Sequence, residues 1–468
     1  MFHVKHNAVD DLLLRTLPAG TVYAVGGTVR DALLTDPNGV EASLHKNLDY
    51  LVTGVPMDEI VQRLSPSVRV ELVGQSFGVL KFSFADLEAD LALPRKERST
   101  GTHHRDFDVQ TSPDIPIEED LSRRDFRINM MARNLSDGRI IDPFGGLEDL
   151  RNRRLDILRA EAFVEDPLRM LRGAQFAARF NLTPTKKTMD AMREAAPLIT
   201  SVAGERVAEE LKKLLTLARL PSVGFEILRE AGVGDILLPE LMEGWDVEQN
   251  EFHRYTVYYH SLRCCDEAPH DLVMRLAALL HDVGKPRTKE GPHFYRHEYV
   301  GAEMARALLN RLRFGSDTVE RVTHLIKHHM FASGDELTDA AVRRFIVRVG
   351  AQHIDHLFTL RRADITASGL QERSPAELDR FAARVKLQLS GPQVFNVTNL
   401  AIDGNAVIEL MKGLELASSD FRGDERVGAV LRHCLELVIE EPAANNSESL
   451  LKAASAFLLA RGHGSGPP

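Results

Sequence analysis

The arrangement of apolar and polar positions changes character near residue 155. Before that point, short β-rich apolar runs alternate with turns and one or two helices. Tyr23–Val25 read as the end of a buried strand, followed by a Gly26–Gly27 turn and an apolar helix opened by Arg30 and Asp31. Leu48, Tyr50, Leu51 and Val52 form a second strand with Asp49 projecting at its start. VRVELVG and VLKFSFA follow as a strand pair, and EADLALPRKE carries Asp90 in alternation with Leu91 and Leu93. Beyond residue 155 Pro and Gly thin out and the 3.6-residue period of amphipathic helices dominates, as in MLRGAQFAARF, AGERVAEELKKLLTLA and VGFEILREAGV. The pattern predicts an α+β chain: a β-rich part at 1–154, then an all-helical body. The body divides into a helical neck at 155–238, a second helical domain at 239–375 and a C-terminal helical region at 376–468, with the connection near 232–245 bracketed by Gly232 and Pro239. The tail RGHGSGPP has the composition of a disordered end. Residues 94–120 are polar and rich in turn formers, and they predict a long structureless loop of the kind that is functional or mobile.

Composition narrows the class. A chain of 468 residues, 44% hydrophobic and 27% charged, has ample core for two to four domains. It lacks a run of about eighteen apolar residues, so no transmembrane helix is expected. MFHVKHNAVDD has no apolar stretch of a signal peptide, and the three cysteines form neither a disulfide framework nor a C-x-x-C pair. These features make the cytoplasm the expected compartment and exclude a membrane partner. The net charge of −10 argues against a protein that coats nucleic acid generally. Its distribution is uneven. Residues 1–150 carry 16 Lys and Arg against 24 Asp and Glu, whereas residues 151–220 carry 14 against 9. That basic excess suits contacts to RNA phosphates near the start of the helical body, or equally a solvated basic face.

The chemistry concentrates in residues 123–176, in RRDFRINMMARN, DPFGGLEDL and VEDPLRMLRGAQF. Arg124 and Asp125 put a guanidinium fork beside a carboxylate. Asp166 and Arg169 do so at a three-residue spacing that places both on one face of a helix. Such a mixed donor–acceptor edge can read the Watson–Crick edge of a nucleobase without a template. The same spacing also fits a plain helix N-terminus with acids in its first turn. Upstream, Gly26–Gly27 allow backbone N–H groups to approach a phosphate closely, although no Walker loop is present. Asp49 and Asp90, on neighbouring strands, are the carboxylate arrangement that holds Mg²⁺ against a nucleoside triphosphate.

Taken in order, GGTVRD, RRDFRIN, DPFGG, EDPLRMLR and GERVAEEL resemble the class II nucleotidyltransferases, the family of tRNA CCA-adding enzymes and bacterial poly(A) polymerases. The resemblance covers roughly residues 20–215. It implies a small polymerase-β-like head with a mixed sheet, in which Gly26, Gly27 and Arg30 hold the triphosphate of ATP or CTP. It implies that Arg124 and Asp125 contact the ribose, that Asp166 and Arg169 select A or C, and that Arg172 joins the nucleotide-binding set. The motif around Glu205–Arg206 would stiffen the helix carrying the base-reading pair. The long loop before RRD is the segment implicated in adding the terminal A. One departure stands out. The family carries a D-x-D pair on the second strand, whereas this chain has Asn47–Leu48–Asp49. Asn47 can offer a carbonyl oxygen but no charge, and it cannot act as general base for a 3′-hydroxyl. Asp36 and Glu41 lie in the connector and not at a fixed strand position. A slow head, a substitution that traps substrate and a head that only binds all remain consistent with that triplet.

HDVGKPRT at 281–288 is a second chemical signal. His281–Asp282 follow the apolar run LVMRLAALL, His260 lies upstream and Asp364 downstream, each within its own helical pattern. This set resembles the ligands of the HD phosphohydrolase superfamily. Two imidazoles and two carboxylates suit a divalent transition metal such as Ni²⁺, Co²⁺ or Mn²⁺ that activates water on a phosphate. His297 and the pair His328–His329 add groups placed to steady those ligands or to hold a second metal. A nucleotidyltransferase head fused to an HD domain resembles the bacterial tRNA nucleotidyltransferases whose HD unit has metal-dependent phosphatase and 2′,3′-cyclic phosphodiesterase activity. The expected function is addition of A, or of the full CCA, to a tRNA 3′ end. The alternatives are a poly(A) polymerase, an HD phosphohydrolase whose head only binds RNA or nucleotide, and an RNA-binding scaffold with both sites dead.

Overall fold

The computed structural model describes residues 7–34, 47–73, 78–99, 107–250, 254–370, 375–390 and 395–462. Four sequence expectations bear on residues outside that set: the first six residues, the connector 35–46, residues 100–106 of the polar loop and the last six residues. Two compact units account for the chain. One comprises Met1–Glu243, His270–Leu272 and Ala307–Ser316, and the other Gly244–Pro269, Val273–Arg306 and Asp317–Pro468.

In the first unit the β-rich runs become β1 (Val22–Val25), β2 (Asn47–Val52), β3 (Val70–Val73), β4 (Val79–Phe84) and β5 (Leu87–Ala92). These are followed by β6 (Arg95–Ser99), β7 (Phe107–Thr111), β8 (Ala132–Asn134) and β9 (Ile140–Ile141). Seven strands form one mixed sheet in the order β3-β4-β5-β2-β1-β8-β9. Within this sheet β2 and β5 pair in parallel, and their register sets Asp49 directly opposite Asp90. The other neighbours are antiparallel. Val25, Leu51, Leu121, Met130 and Ala132 close the core beneath the strands. The α+β class predicted from the patterning is the observed one.

The polar loop departs from expectation. Its two arms pair as the antiparallel hairpin β6–β7, from Arg95 opposite Thr111 to Ser99 opposite Phe107. Helix Ile117–Ser122 follows. The hairpin stands apart from the seven-stranded sheet, so its charged arm RKERS shows no apolar alternation to mark it as a strand.

Helix Arg169–Phe180 leads the helical part of this unit, with Gly204–Leu217 and Pro221–Glu230 packed against it. Phe126, fully buried, inserts its ring beside Phe163 and Phe176. A Cβ on Gly173 would lie 2.8 Å from that ring, so the helix needs glycine there to receive it. The DPFGG segment turns on a similar constraint. Asp142 accepts hydrogen bonds from the Gly146 and Leu147 amides at 2.7 and 2.9 Å, and a Cβ on Gly146 would lie 2.2 Å from the Arg127 carbonyl oxygen.

The second unit is helical. Val257–Glu267, His297–Arg311, Ser316–His328, Asp339–Val349 and Ile354–Ala367 contribute to it, followed by Ala376–Ser390, Gly404–Gly413, Glu425–Glu440 and Ser447–Gly462. Phe331, Phe345, Phe358 and Phe381 pack edge-on or tilted into one cluster, and Val407, Met411, Val430, Cys434 and Leu450 fill another. Arg343 donates to the Ile439 and Glu440 carbonyl oxygens at 2.6 and 3.2 Å, which satisfies the end of Glu425–Glu440. Among the described residues no helix is long and apolar enough to cross a membrane.

Candidate functional site

Nine residues proposed from the motifs line one cavity of about 560 Å³ in the first unit: Gly26, Gly27, Arg30, Asp49, Arg124, Asp125, Asp166, Arg169 and Arg172. They arrive from a strand, turns and helices far apart in sequence. A hydrogen-bonded chain fixes their spacing. Arg30 donates to Asp31 at 2.7 Å and to Asn129 at 2.6 Å. Asn129 donates to Asp125 at 2.8 Å, and Arg172 clamps the other oxygen of Asp125 with contacts of 2.8 and 2.7 Å. Burial pushes the Asp125 carboxyl up, but Arg172, Asn129 and the Phe126 amide outweigh it and hold the group below the usual carboxylate range. Asp125 is thus a fixed anion, with Arg172 as its counter-charge.

Arg30 is only 4% exposed, and its guanidinium lies 5.0 Å from the Phe176 ring centre and 4.3 Å from that of Phe180. In this position it braces the turn and also lines the cavity. Gly26 has φ +61°, and a Cβ there would sit 2.4 Å from an Arg124 nitrogen. Arg124 can therefore lie across the turn only because residue 26 is glycine. Asp120 holds Arg123 and Arg124 from below at 2.7 and 3.1 Å.

Asp166 and Arg169 do not share a helix. Asp166 is extended, with φ −141° and ψ 95°, between helix Ala162–Glu165 and helix Arg169–Phe180. The following Pro167 disfavours the α conformation at residue 166. The two side chains are braced separately. Asp166 pairs with Arg206 at 3.0 Å, whereas Arg169 donates to the Arg123 carbonyl oxygen at 2.8 Å. Both face the cavity, so the mixed donor–acceptor edge is preformed by neighbours and not by the pair itself.

Asp49 is exposed and lines the cavity. Asp90 sits beside it across β2–β5, with Lys81 at 3.1 Å. Asn47 holds its strand position opposite Glu88. Sequence reasoning missed Asn129, Gln175, Arg179, Glu210 and Lys213, all of which line the cavity, and it did not foresee Arg206 as the partner of Asp166. Asn129 was legible as the residue four after Asp125 in RRDFRIN. Seven cations against four carboxylates line the space, a balance that favours a polyphosphate.

The second unit brings His260, His281, Asp282 and Asp364 together, all buried. His260 Nε2 lies 3.1 Å from Asp364 Oδ1, and His281 Nε2 lies 3.2 Å from Asp282 Oδ2. The other Asp282 oxygen faces His297 and His329 at 3.4 and 3.7 Å. The ligand atoms fall into two groups, His260 with His281 and Asp364, and Asp282 with His297 and His329. His281, His297 and His329 each place Nδ1 2.7–2.8 Å from a backbone carbonyl oxygen. In the neutral ring that contact puts the proton on Nδ1 and leaves Nε2 as the inward-facing ligand atom, the form a metal would take. Burial pushes the His281 ring down, but Asp282 and Asp364 outweigh it and raise it above the ordinary histidine range. Burial, with His281 and His297 nearby, holds His329 well below the ordinary histidine range. Asp282 and Asp364 stay well below the carboxylate range although burial pushes both up, because His281 and Lys285 face the one and His260 and Arg361 the other. This donor set fits borderline divalent ions. His328 does not take part. It is the last residue of helix Ser316–His328, whereas His329 lies just past the helix end, and its ring packs against His324 with centres 4.5 Å apart. A cavity of about 270 Å³ opens beside the cluster, lined by Lys285, His293, Tyr295 and Arg361 among others.

Residues 22–156 match the poly A polymerase head domain, residues 181–244 the probable RNA and SrmB-binding site of polymerase A, and residues 252–382 the HD domain. The multifunctional CCA protein of Cupriavidus metallidurans is 37% identical over 347 residues, which span 70% of this chain and 80% of that one. That of an Azoarcus species is 35% identical over 372 residues, or 77% and 84% of the two chains. The CCA-adding enzyme of Bacillus stearothermophilus, solved in complex with CTP, aligns over 97% of this chain and 96% of its own, with a TM-score of 0.66 and 21% identity. The Thermotoga maritima CCA-adding enzyme, solved with tRNA, aligns over 97% and 99% with a TM-score of 0.51 and 19% identity. At these identities the structural likeness is one of fold.

Proposed function

We propose, for a chain that belongs to the family of the multifunctional CCA proteins, that the first unit transfers CMP and AMP from CTP and ATP to a tRNA 3′ end. One observation carries this reading: nine motif residues line a single cation-rich cavity. In the reaction the terminal 3′-hydroxyl gives up its proton to solvent, its oxygen bonds to the α-phosphorus, the bond from that phosphorus to the oxygen bridging to the β-phosphate breaks, and pyrophosphate leaves. Asp49 and Asp90 would hold Mg²⁺, with Asn47 as an uncharged third donor. Paired register and all-oxygen chemistry suit that ion. Bound Mg²⁺ supplies Lewis-acid stabilisation of the polyphosphate charge. The chain itself orients the nucleotide. Gly26, Gly27 and Arg30 border the triphosphate, Arg124 and the Asp125–Arg172 pair the ribose, and Asp166 with Arg169 the base. A and C each offer an exocyclic amine beside a ring nitrogen acceptor, which complements a carboxylate beside a guanidinium, whereas G and U offer the opposite.

Two substitutions test the assignment within the head. Arg169→Ala should cost base discrimination about ten- to a hundredfold, the value of one charge-assisted hydrogen bond, while tRNA affinity holds. Steady-state incorporation of all four nucleotides checks this, and equal losses for the four would make Arg169 a structural residue. Asn47→Asp should raise the addition rate about tenfold by restoring an anionic metal ligand. An unchanged or lower rate would remove residue 47 from the metal set.

The paired ligand groups of the second unit favour a second activity, hydrolysis of 2′,3′-cyclic or terminal phosphates at RNA ends with Ni²⁺, Co²⁺ or Mn²⁺. His260, His281 and Asp364 would hold one ion and His297 and His329 another, with Asp282 between the two groups. The bound ions would supply an activated water. Lys285 and Arg361, which border the adjoining cavity, would bind the phosphate.

A further inference from the structure

Gln175 lies on helix Arg169–Phe180 and lines the head cavity, yet is only 1% exposed. Neither its Nε2 nor its Oε1 has a hydrogen-bond partner among the described residues. A buried amide left unsatisfied at both ends destabilises a fold, so such a group in a ligand cavity points to a ligand. Its place along the helix says which part. Arg169 begins the helix, and six residues at 1.5 Å each put Gln175 about 9 Å further along. There the helix faces the turn. Phe176 and Phe180 pack on the Arg30 guanidinium, and Arg179 comes close enough to Arg30 and Asp31 to feel both charges.

We propose that Gln175 binds the triphosphate of the incoming nucleotide, its Nε2–H donating to a non-bridging phosphate oxygen. The proposal rests on the nucleotidyltransferase reading of the head and adds a contact that the motifs do not indicate. Among seven cations a neutral donor holds phosphate without adding charge, and it makes the same contact for ATP and CTP.

The test uses the full-length protein with Mg²⁺, wild type against Gln175→Leu and Gln175→Glu. Inorganic tripolyphosphate, which has neither base nor ribose, is the binding probe, followed by calorimetry. Binding should weaken roughly ten- to a hundredfold in Gln175→Leu and further in Gln175→Glu, which sets a carboxylate against phosphate. The KM values for ATP and CTP should rise by the same factor as each other while kcat holds, as expected when uniform binding is lost. The melting temperature of the ligand-free protein should stay level or rise in Gln175→Leu, because an unsatisfied buried amide has been replaced by an apolar side chain of similar size. Tripolyphosphate binding within twofold of wild type would overturn the assignment. So would no binding by wild type, a KM effect confined to one nucleotide, or a fall in melting temperature without a binding defect. Wild type that binds tripolyphosphate yet adds no nucleotide would instead defeat the reading of the head, and leave the Gln175 contact to be judged on binding alone.

Discussion

Asp49→Ala should reduce nucleotide addition by about a thousandfold or more, roughly 4 kcal/mol of barrier. Asp49 is the one carboxylate in the Asn47–Leu48–Asp49 triplet, it lines the cavity, and it stands opposite Asp90 in the parallel register of β2 and β5. With Asn47 uncharged, removing Asp49 leaves Asp90 alone against a polyphosphate, and Asp90 already shares its charge with Lys81 at 3.1 Å. Metal-dependent phosphoesterase activity of the second unit should be unchanged in the same preparation, which separates a site defect from misfolding. Primer extension under single-turnover conditions checks the loss. Incorporation within a few-fold of wild type would take Asp49 out of the metal set.

His281→Ala should give the complementary result, complete loss of transition-metal-stimulated hydrolysis of 2′,3′-cyclic nucleotides with nucleotide addition retained. His281 Nε2 is turned into the ligand cluster by the Nδ1 contact to the Ala278 carbonyl oxygen at 2.8 Å, and it lies between the two aspartates, 3.2 Å from Asp282 and 4.0 Å from Asp364. The metal preferences should also part. The oxygen donors of the head suit Mg²⁺, whereas an imidazole-rich set prefers Ni²⁺, Co²⁺ or Mn²⁺. Wild type loaded with each ion in turn and no more active than His281→Ala would leave the cluster as a folded relic.

The residues that proved legible and those that did not differ in physical kind. Alternation marks the strand carrying Asp90, which has one buried face, and an apolar run marks the strand carrying Asp49, where Tyr50, Leu51 and Val52 are all buried. Their neighbouring placement is expected from the sequence, but the register that sets the two directly opposite each other is a non-local fact that emerges from sheet topology. The spacing of Asp166 to Arg169 predicts one shared helix face, yet Asp166 is extended, as the following Pro167 favours. The β6–β7 hairpin escaped notice because it is not packed into the main sheet and so needs no apolar face. Among the histidines, spacing alone could not separate His329, which joins the ligand cluster, from His328, which packs on His324. Gly26 was assigned to phosphate approach, while its second duty, leaving room for Arg124, depends on a contact across nearly a hundred residues of sequence. Gln175 looks in sequence like an incidental amide, and Asn129 offers only its four-residue spacing from Asp125. Their weight comes from burial, which joins Asn129 to Arg30 and Asp125 and leaves the Gln175 amide, on the cavity lining, with no hydrogen-bond partner among the described residues.

The most direct measurement is the sequence of nucleotides that the full-length protein adds, with Mg²⁺, to three transcripts of one tRNA ending before CCA, before CA and before the final A. All three should be extended to a single CCA end from CTP and ATP, with one pyrophosphate released per nucleotide and GTP and UTP refused. A run of A added without regard to the starting end, or no addition to any of the three transcripts, would contradict it.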